Sequence, residues 1–271
     1  MKPFSAGWLA AREPHDQRAR NPAVLDALAT AVAGLSSIRI VDLGCGTGAT
    51  LRAIAPRLRV PQHWHCVDND LGLLERAARL EPPSGVTIST KALDLVRDLE
   101  AALDGPIDLV TASALFDLVS GEWLERFVVE TAARRLPVYV ALTHDDHIAI
   151  EPSDPLDDAA IAAVCRHQRR DKGFGPALGP GAAKAAVARF ERAGYRVIAG
   201  RSDWRLEPAD GEMQAAVLDV WAGAASEEGG LPLAEGVAWL TRRRDLVAAG
   251  RSALQLGHVD FLALPDRNRQ H

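Results

Sequence analysis

Short apolar runs alternate with helical patterns through the first half of the chain. Runs typical of buried strands lie at residues 38–41, 63–67, 86–89, 106–112 and 136–142. Helical patterns follow several of them, at residues 48–57, 71–80 and 122–133. Strands separated by helices predict parallel βαβ units with right-handed crossovers. We therefore predict the α/β class, with a doubly wound, mostly parallel sheet of seven strands and helices on both faces.

The pattern is less regular outside this alternation. Residues 1–35 are predicted to form a helical N-terminal cap, with Pro22 at the first position of a helix. Later elements are expected as helices at 155–167, 182–193 and 211–249, the last interrupted at 227–232, and as strands at 195–200 and 257–264. We therefore expect the cap at 1–35 and one α/β domain at 36–265, with an insertion after the fifth strand at about 145–195.

Composition and charge narrow the class of protein. Of the 271 residues, 48% are hydrophobic and 25% are charged, which is typical of a globular chain and not of a coiled coil or a disordered one. The net charge of −5 argues against a nucleic-acid partner, which usually requires a basic surface. Three cysteines without C-x-x-C spacing, and no apolar run of about 18 residues, predict a cytoplasmic protein without a membrane span. The sequence leaves open whether the chain forms oligomers.

A glycine-rich turn joins the first predicted strand to its helix. Glycines there let the backbone turn tightly and let a ligand approach closely. Gly44, Gly46 and Ala49 satisfy the loose G-x-G-x-x-G/A pattern of dinucleotide-binding proteins. The turn also follows a second pattern, acid-x-G-x-G-x-G, which begins at Asp42 and ends at Gly48. A carboxylate at residue 42 would repel a pyrophosphate but would suit an ammonium group.

The run VDLGCGTG at 41–48 resembles the first motif of the class I, Rossmann-like S-adenosylmethionine-dependent methyltransferases. The resemblance covers residues 37 to about 145 and implies S-adenosylmethionine as cofactor. Asp68 ends the second strand, where an acid can bind a ribose diol, as it also does in dehydrogenases. The resemblance further implies that Asp94 accepts the adenine amino group and that the Leu95 amide meets a ring nitrogen. The predicted cofactor-binding residues are Asp42, Gly44, Cys45, Gly46, Asp68, Asn69, Asp94, Leu95, Ala112 and Ser113.

Candidates for the substrate side lie after the fifth predicted strand. His144 belongs to a polar stretch at 143–147 that should face the crevice of the sheet, where it could take a proton from an acceptor. An ordinary polar loop is the alternative, and we predict no metal site because so short a stretch cannot wrap one ion with all its side chains. The cationic stretch 167–175 is predicted either to hold an acidic group or to be a solvated helix end. Trp8 in the cap is either a core residue or a side chain that packs over a ligand.

The function that these motifs favour is methyl transfer from S-adenosylmethionine to an oxygen or nitrogen of a small molecule. Three alternatives stay open on the sequence. The chain could be an RNA or protein methyltransferase, an NAD(P)-dependent oxidoreductase, or a non-catalytic subunit that binds S-adenosylmethionine. No motif names the acceptor.

Overall fold

A computed structural model describes residues 5–266. The strands are β1 (Ile38–Leu43), β2 (Gln62–Asp68), β3 (Val86–Ala92), β4 (Leu109–Ser113), β5 (Val138–Glu151), β6 (Tyr195–Arg201), β7 (Trp204–Leu206) and β8 (Ala253–Pro265). The helices are α1 (Ala6–Ala19), α2 (Pro22–Val32), α3 (Ala49–Ile54), α4 (Leu71–Ala78), α5 (Leu99–Ala102), α6 (Gly121–Ala133), α7 (Asp157–Gln168), α8 (Ala182–Arg192), α9 (Gly211–Glu227) and α10 (Leu233–Ala248). No helix within this part of the chain is long and apolar enough to cross a membrane.

All eight strands belong to one sheet, in the order β3-β2-β1-β4-β5-β8-β6, with β7 paired to β8 as well. Strands β1 to β5 pair in parallel, and β8 runs antiparallel to β5, β6 and β7. The predicted mostly parallel α/β sheet is confirmed, but the count of seven strands is wrong. The additional strand, β7, has only three residues, which is too short to show an alternating pattern in the sequence.

Helices cover both faces of the sheet, and the alternation along β5 shows how. Val138 and Val140 face a core that α6 and α8 close with Phe127 and Phe190. Tyr139, between them, faces the opposite core, which is closed by α2, α3 and α4. Successive side chains of a strand point to opposite faces, so one apolar strand fills both cores.

The expected cap and insertion contribute to these cores. Val24 and Leu28 of α2 are fully buried under the sheet, so this helix is part of the α/β layer, and α1 is the part of 1–35 that lies outside it. Phe190 of α8 is likewise buried, so only α7 and the loop that follows it project from the insertion. The division at residue 35 stays a prediction.

A third cluster lies where β5 and β8 extend beyond the parallel strands. Trp204 of β7 and Leu256 of β8 pair there, and α7, α9 and α10 pack on them through side chains such as Trp221 and Trp239. This extension corrects the prediction for residues 143–147, which are strand and not loop. The pairing of β5 with β8 shifts between Val140 and Thr143 and again between His144 and Ile148, which breaks the alternation that would have marked a strand.

Candidate active site

The glycine-rich turn follows β1 and lies under α1. Gly44 and Gly46 have φ angles of 64° and 53°, in the left-handed region that favours glycine. A Cβ on Gly46 would stand 3.2 Å from Cδ1 of Leu9, so the first helix approaches the bare backbone closely. The turn is therefore covered by the N-terminal helix, and position 46 has little room for a side chain.

A cavity of about 400 Å³ opens beside this turn, at the carboxyl ends of β1 to β4. Its volume lies within the range of roughly 300–1,000 Å³ that is usual for cofactor sites. Open α/β sheets bind ligands at this edge. The cavity is lined by Leu9, Arg12, Gly44, Gly46, Asp68, Asn69, Asp70, Leu73, Leu93, Asp94, Leu95, Val96, Arg97, Ser113, Ala114, Leu115, Leu118, Lys172, Gly173 and Phe174.

Most of the predicted cofactor-binding residues meet at this cavity. Those that line it are Gly44, Gly46, Asp68, Asn69, Asp94, Leu95 and Ser113. Asp42, Cys45 and Ala112 are buried beneath the lining. Contact between these three residues and a cofactor stays a prediction.

Asp68 is held by two backbone amides. The Gly46 amide donates to Oδ2 over 2.8 Å and the Asp70 amide donates to Oδ1 over 3.0 Å. A carboxylate has about four acceptor sites, so each oxygen can accept a further hydrogen bond. The turn thus orients a carboxylate whose two oxygens are both available to a diol.

The loop after β3 presents Asp94 and Leu95. Asp94 accepts hydrogen bonds from the Val96 amide, at 3.0 Å, and from Nε of Arg97, at 2.9 Å. The Leu95 carbonyl accepts from Nε1 of Trp123 at 2.7 Å, which ties the loop to α6. Both residues line the cavity as expected, and their contacts with an adenine stay predictions.

A buried polar network lies beneath the turn. Arg20 donates to the Tyr139 hydroxyl and to Oγ of Ser113, each over 3.1 Å. Asp42 Oδ1 accepts from Oγ1 of Thr111 at 2.7 Å. Burial raises the pKa of Asp42 to about 7, although the Thr111 hydrogen bond and the charge of Arg20 oppose that rise. Arg20 thus acts on the buried acid through its charge and binds Ser113, which lines the cavity.

A second, smaller cavity of about 140 Å³ adjoins the first. Arg12, Ala114 and Leu118 line both. The other lining residues come from the segment between β4 and α6, from α1, α7 and α9 and from the extended strands, and they are Trp8, Asp117, Leu142, His144, Gln168, Trp204, Val217, Val220, Trp221, Leu256 and His258. Trp8 and His144 were candidates in the sequence, whereas Trp204, Trp221 and His258 carried no motif. For these three residues, the sequence offers one signal of a site, which is the polar side chain of His258 within the apolar pattern of β8.

The two histidines of this cavity have the same tautomer. Nδ1 of His144 is 3.0 Å from the Gly257 carbonyl, and Nδ1 of His258 is 3.1 Å from the Leu256 carbonyl. Since a carbonyl only accepts, each Nδ1 donates its hydrogen and Nε2 is the nitrogen that accepts in the neutral ring. The ring centroids lie 5.5 Å apart. Burial lowers the pKa of His258 well below its usual value, so its ring is neutral at pH 7.

The cationic stretch 167–175 is divided between cavity and surface. Lys172 and Phe174 line the larger cavity. Burial lowers the pKa of Lys172 below its usual value. Arg170 lies on the surface, where it forms ion pairs with Glu227 and Glu228 of the α9 end. The segment therefore closes one side of the first cavity, and part of it is the solvated helix end that the sequence allowed.

Comparisons with known proteins agree with this geometry. Residues 40–136 match the family model described as "Methyltransferase domain". No curated protein matches the chain in sequence. A cyclopropane-fatty-acyl-phospholipid synthase-like protein from Lactobacillus casei is similar in structure, with 15% identity over 97% of this chain and 94% of that one and a TM-score of 0.53.

Two further solved structures are similar. The YcgJ protein from Bacillus subtilis has 13% identity over 92% of this chain and all of its own, with a TM-score of 0.50. An S-adenosylmethionine-dependent methyltransferase from Geobacter sulfurreducens, solved with S-adenosyl-L-homocysteine, has 17% identity over 98% of this chain and all of its own, with a TM-score of 0.46. At these identities the likeness concerns the fold alone. The expected enzyme class and cofactor are confirmed, and the chain carries a class I, Rossmann-like S-adenosylmethionine-dependent methyltransferase domain whose family match spans residues 40–136.

Proposed function

We propose that this chain transfers a methyl group to an oxygen or nitrogen of a small molecule that binds in the smaller cavity. The observation that carries the proposal is the junction of the two cavities. Arg12, Ala114 and Leu118 line both, so a donor in the first would meet an acceptor in the second. Holding two reactants in contact and in line is the main contribution that such an enzyme makes.

The residues of the larger cavity fit the cofactor. Both Asp68 oxygens can accept from ribose hydroxyls, and Asp94 can accept from the adenine amino group. Apolar side chains of Leu73, Leu93 and Phe174 line the same cavity and would pack on the adenine. When bound, S-adenosylmethionine supplies an activated methyl group on a sulfonium. The lining of the larger cavity therefore offers hydrogen-bond acceptors for the ribose hydroxyls and the adenine amino group, and apolar contacts for the adenine ring.

His144 is proposed to receive the proton of the acceptor. Its Nδ1 donates to a backbone carbonyl, which leaves Nε2 as a base on a residue that lines the smaller cavity. The larger cavity would hold S-adenosylmethionine, which would supply the methyl group to an acceptor oxygen or nitrogen in the smaller cavity. The proton released from the acceptor passes to Nε2. The Trp8, Trp204 and Trp221 side chains would exclude water from that transfer.

Calorimetry tests the cofactor half of the proposal. S-adenosylmethionine and S-adenosyl-L-homocysteine should bind, and NADH should give no heat of binding. Asp68→Ala should weaken binding of S-adenosyl-L-homocysteine by roughly 10–100-fold, since hydrogen bonds to a charged group contribute about 1.5–3 kcal/mol each. Asp104→Ala is the matched control, because Asp104 also accepts from a backbone amide but lies on an exposed loop. Binding of NADH, or unchanged affinity in Asp68→Ala, would contradict the proposal.

A further inference from the structure

The size of the smaller cavity limits its ligand to a single ring. Its volume is about 140 Å³. A cavity of about 150 Å³ in another protein holds benzene, so this one matches one six-membered ring with small substituents. Three tryptophans, Trp8, Trp204 and Trp221, line it. Aromatic walls favour a flat ring, because ring pairs contribute about 0.5–1.5 kcal/mol beyond the apolar area that they bury.

Buried polar atoms without partners surround the same cavity. Trp8 Nε1, Asp117 Oδ1 and Gln168 Oε1 have no hydrogen-bond partner among residues 5–266. A buried polar atom left in this way costs about 1–3 kcal/mol, and native proteins seldom keep one without a reason. Three of them around one cavity indicate that a ligand completes their hydrogen bonds.

Most of these polar groups accept hydrogen bonds. Asp117 offers the carboxyl oxygen Oδ1, and His144 and His258 each donate from Nδ1, so that Nε2 is the ring nitrogen that can accept. Of the three unpartnered atoms, only Nε1 of Trp8 is a donor. A ligand that complements this lining must therefore donate at two positions or more.

The charges around the cavity disfavour an anion. Arg12 lines it, but the guanidinium already binds Asp16 through Nε and Nη2, at 2.8 and 3.1 Å. It also lies over the Trp204 ring, 5.1 Å from the centroid, and Asp16 accepts from Nε1 of that tryptophan at 2.9 Å. This cation is therefore already engaged by Asp16 and the Trp204 ring, and it is not free to bind an anionic ligand.

Two residues of the lining have strained backbone. Ala114 and Leu142 have φ angles of 50° and 56°, in the left-handed region, and neither is a glycine. Such conformations are unfavourable for residues other than glycine and cluster at ligand sites. Both residues line the smaller cavity, so the surrounding structure maintains the shape of this cavity despite the unfavourable backbone conformations.

We propose that the smaller cavity selects a single aromatic ring that carries two hydrogen-donating substituents, hydroxyl or amino, and no negative charge. One substituent is the methyl acceptor and donates to His144. The second donates to Asp117, which fixes the orientation of the ring. The inference rests on the proposed function, because it assigns the acceptor class of that same site.

Ligand-observed NMR titration of the unaltered chain, with S-adenosyl-L-homocysteine present, tests the proposal. The probes are resorcinol and 3-aminophenol, which have the ring and both donors. Three controls each change one feature: 1,3-dimethoxybenzene lacks the donors, cyclohexane-1,3-diol lacks the aromatic ring, and 3,5-dihydroxybenzoate keeps both but adds a negative charge. We expect each control to bind at least ~10-fold more weakly than resorcinol, which corresponds to about 1.4 kcal/mol. Equal binding of resorcinol and 1,3-dimethoxybenzene would overturn the proposal.

Two variants test whether resorcinol binds in the smaller cavity. Asp117→Asn and Trp221→Leu should each weaken resorcinol binding, whereas Asp219→Asn, an exposed change on the helix of Trp221, should leave it unchanged. Resorcinol binding that neither cavity variant alters would place the ring elsewhere and overturn the proposal. Calorimetry with S-adenosyl-L-homocysteine in the same samples separates the two proposals. Cofactor binding without ring discrimination refutes the acceptor class alone, and absence of cofactor binding refutes the proposed function.

Discussion

Arg52 of α3 and Glu13 of α1 form a two-point salt bridge, with Nε 2.6 Å from Oε1 and Nη2 2.5 Å from Oε2. Nη1 of the same guanidinium donates to the Thr47 carbonyl in the glycine-rich turn, at 2.7 Å. One side chain thereby joins the N-terminal helix to the turn beneath it. The helix that supplies Leu9 and Arg12 to the cavities is attached at this point.

Glu13→Gln should therefore loosen α1. We expect hydrogen exchange of the amides at 6–19 to become several-fold faster, because a partly buried ion pair contributes about 1 kcal/mol. Affinity for S-adenosyl-L-homocysteine should fall as well. Glu75→Gln removes the same charge from an exposed pair with Arg79 and should change neither quantity. Equal exchange rates in the two variants would show that the salt bridge does not hold the helix.

A methyl group at Gly46 should disturb the cofactor site more than the fold. Gly46→Ala places a Cβ 3.2 Å from Leu9 at a φ of 53°. Gly105→Ala has a similar backbone conformation, at 78°, with no atom near the new Cβ. Each should lower the free energy of unfolding by about 1–2 kcal/mol in denaturant titrations. Calorimetry should show weaker binding of S-adenosyl-L-homocysteine only for Gly46→Ala. An equal loss of affinity for S-adenosyl-L-homocysteine in Gly105→Ala would show that the contact between position 46 and Leu9 of α1 does not affect binding.

Asp42 should make stability depend on pH below neutrality. Its pKa rises from 3.8 to about 7 in the folded chain. Between these values the folded carboxyl binds a proton that the unfolded one has lost, so its contribution to stability decreases as pH rises from about 4 to about 7. The slope is at most about 1.4 kcal/mol per pH unit. Urea titrations of Asp42→Asn should therefore show a flatter profile in that window, whereas exposed Asp104→Asn should keep the original one. If the stability of Asp42→Asn changed with pH in the same way as that of the unaltered chain, the predicted contribution of Asp42 would be contradicted.

Removal of one partner of the buried ion pair between α7 and α10 should strongly destabilise the fold. Asp157 binds the fully buried guanidinium of Arg243 and accepts from Nε1 of Trp239 at 2.9 Å. Asp157→Asn would leave a buried positive charge uncompensated, which should cost about 3–5 kcal/mol. The matched change in an exposed pair, Asp219→Asn beside Arg244, should cost less than about 1 kcal/mol. Urea unfolding measures both, and similar losses would contradict the assignment.

The cofactor side could be predicted because its signals are local. The turn at 41–48, the acid that ends β2 and the loop after β3 each lie at the end of an apolar run, and parallel strands bring their carboxyl ends to one edge. Asp68 and Asp94 thus meet at one cavity although β3 separates them in sequence. Helix bounds followed the apolar spacing, and the interruption at 227–232 separates α9 from α10 as expected.

The lining of the smaller cavity could be predicted only in part, at Trp8 and His144, because the rest depends on contacts between distant segments. β5 continues through its polar residues only because β8 pairs with it, with His144 opposite His258. Trp204 lines the smaller cavity because the three-residue strand β7 pairs with β8. Neither pairing leaves a periodic pattern in the sequence, so 143–147 resembled a loop. Trp204 itself resembled a core residue.

The side chain at position 114, directly after β4, is a single methyl group at the junction of the two cavities. A valine or isoleucine there would act as a partition, and its β-branch would also resist the local backbone angle. If the proposed function is correct, such a variant would still bind the cofactor in the larger cavity but would transfer its methyl group more slowly. The size of one side chain would then set how well binding is coupled to transfer.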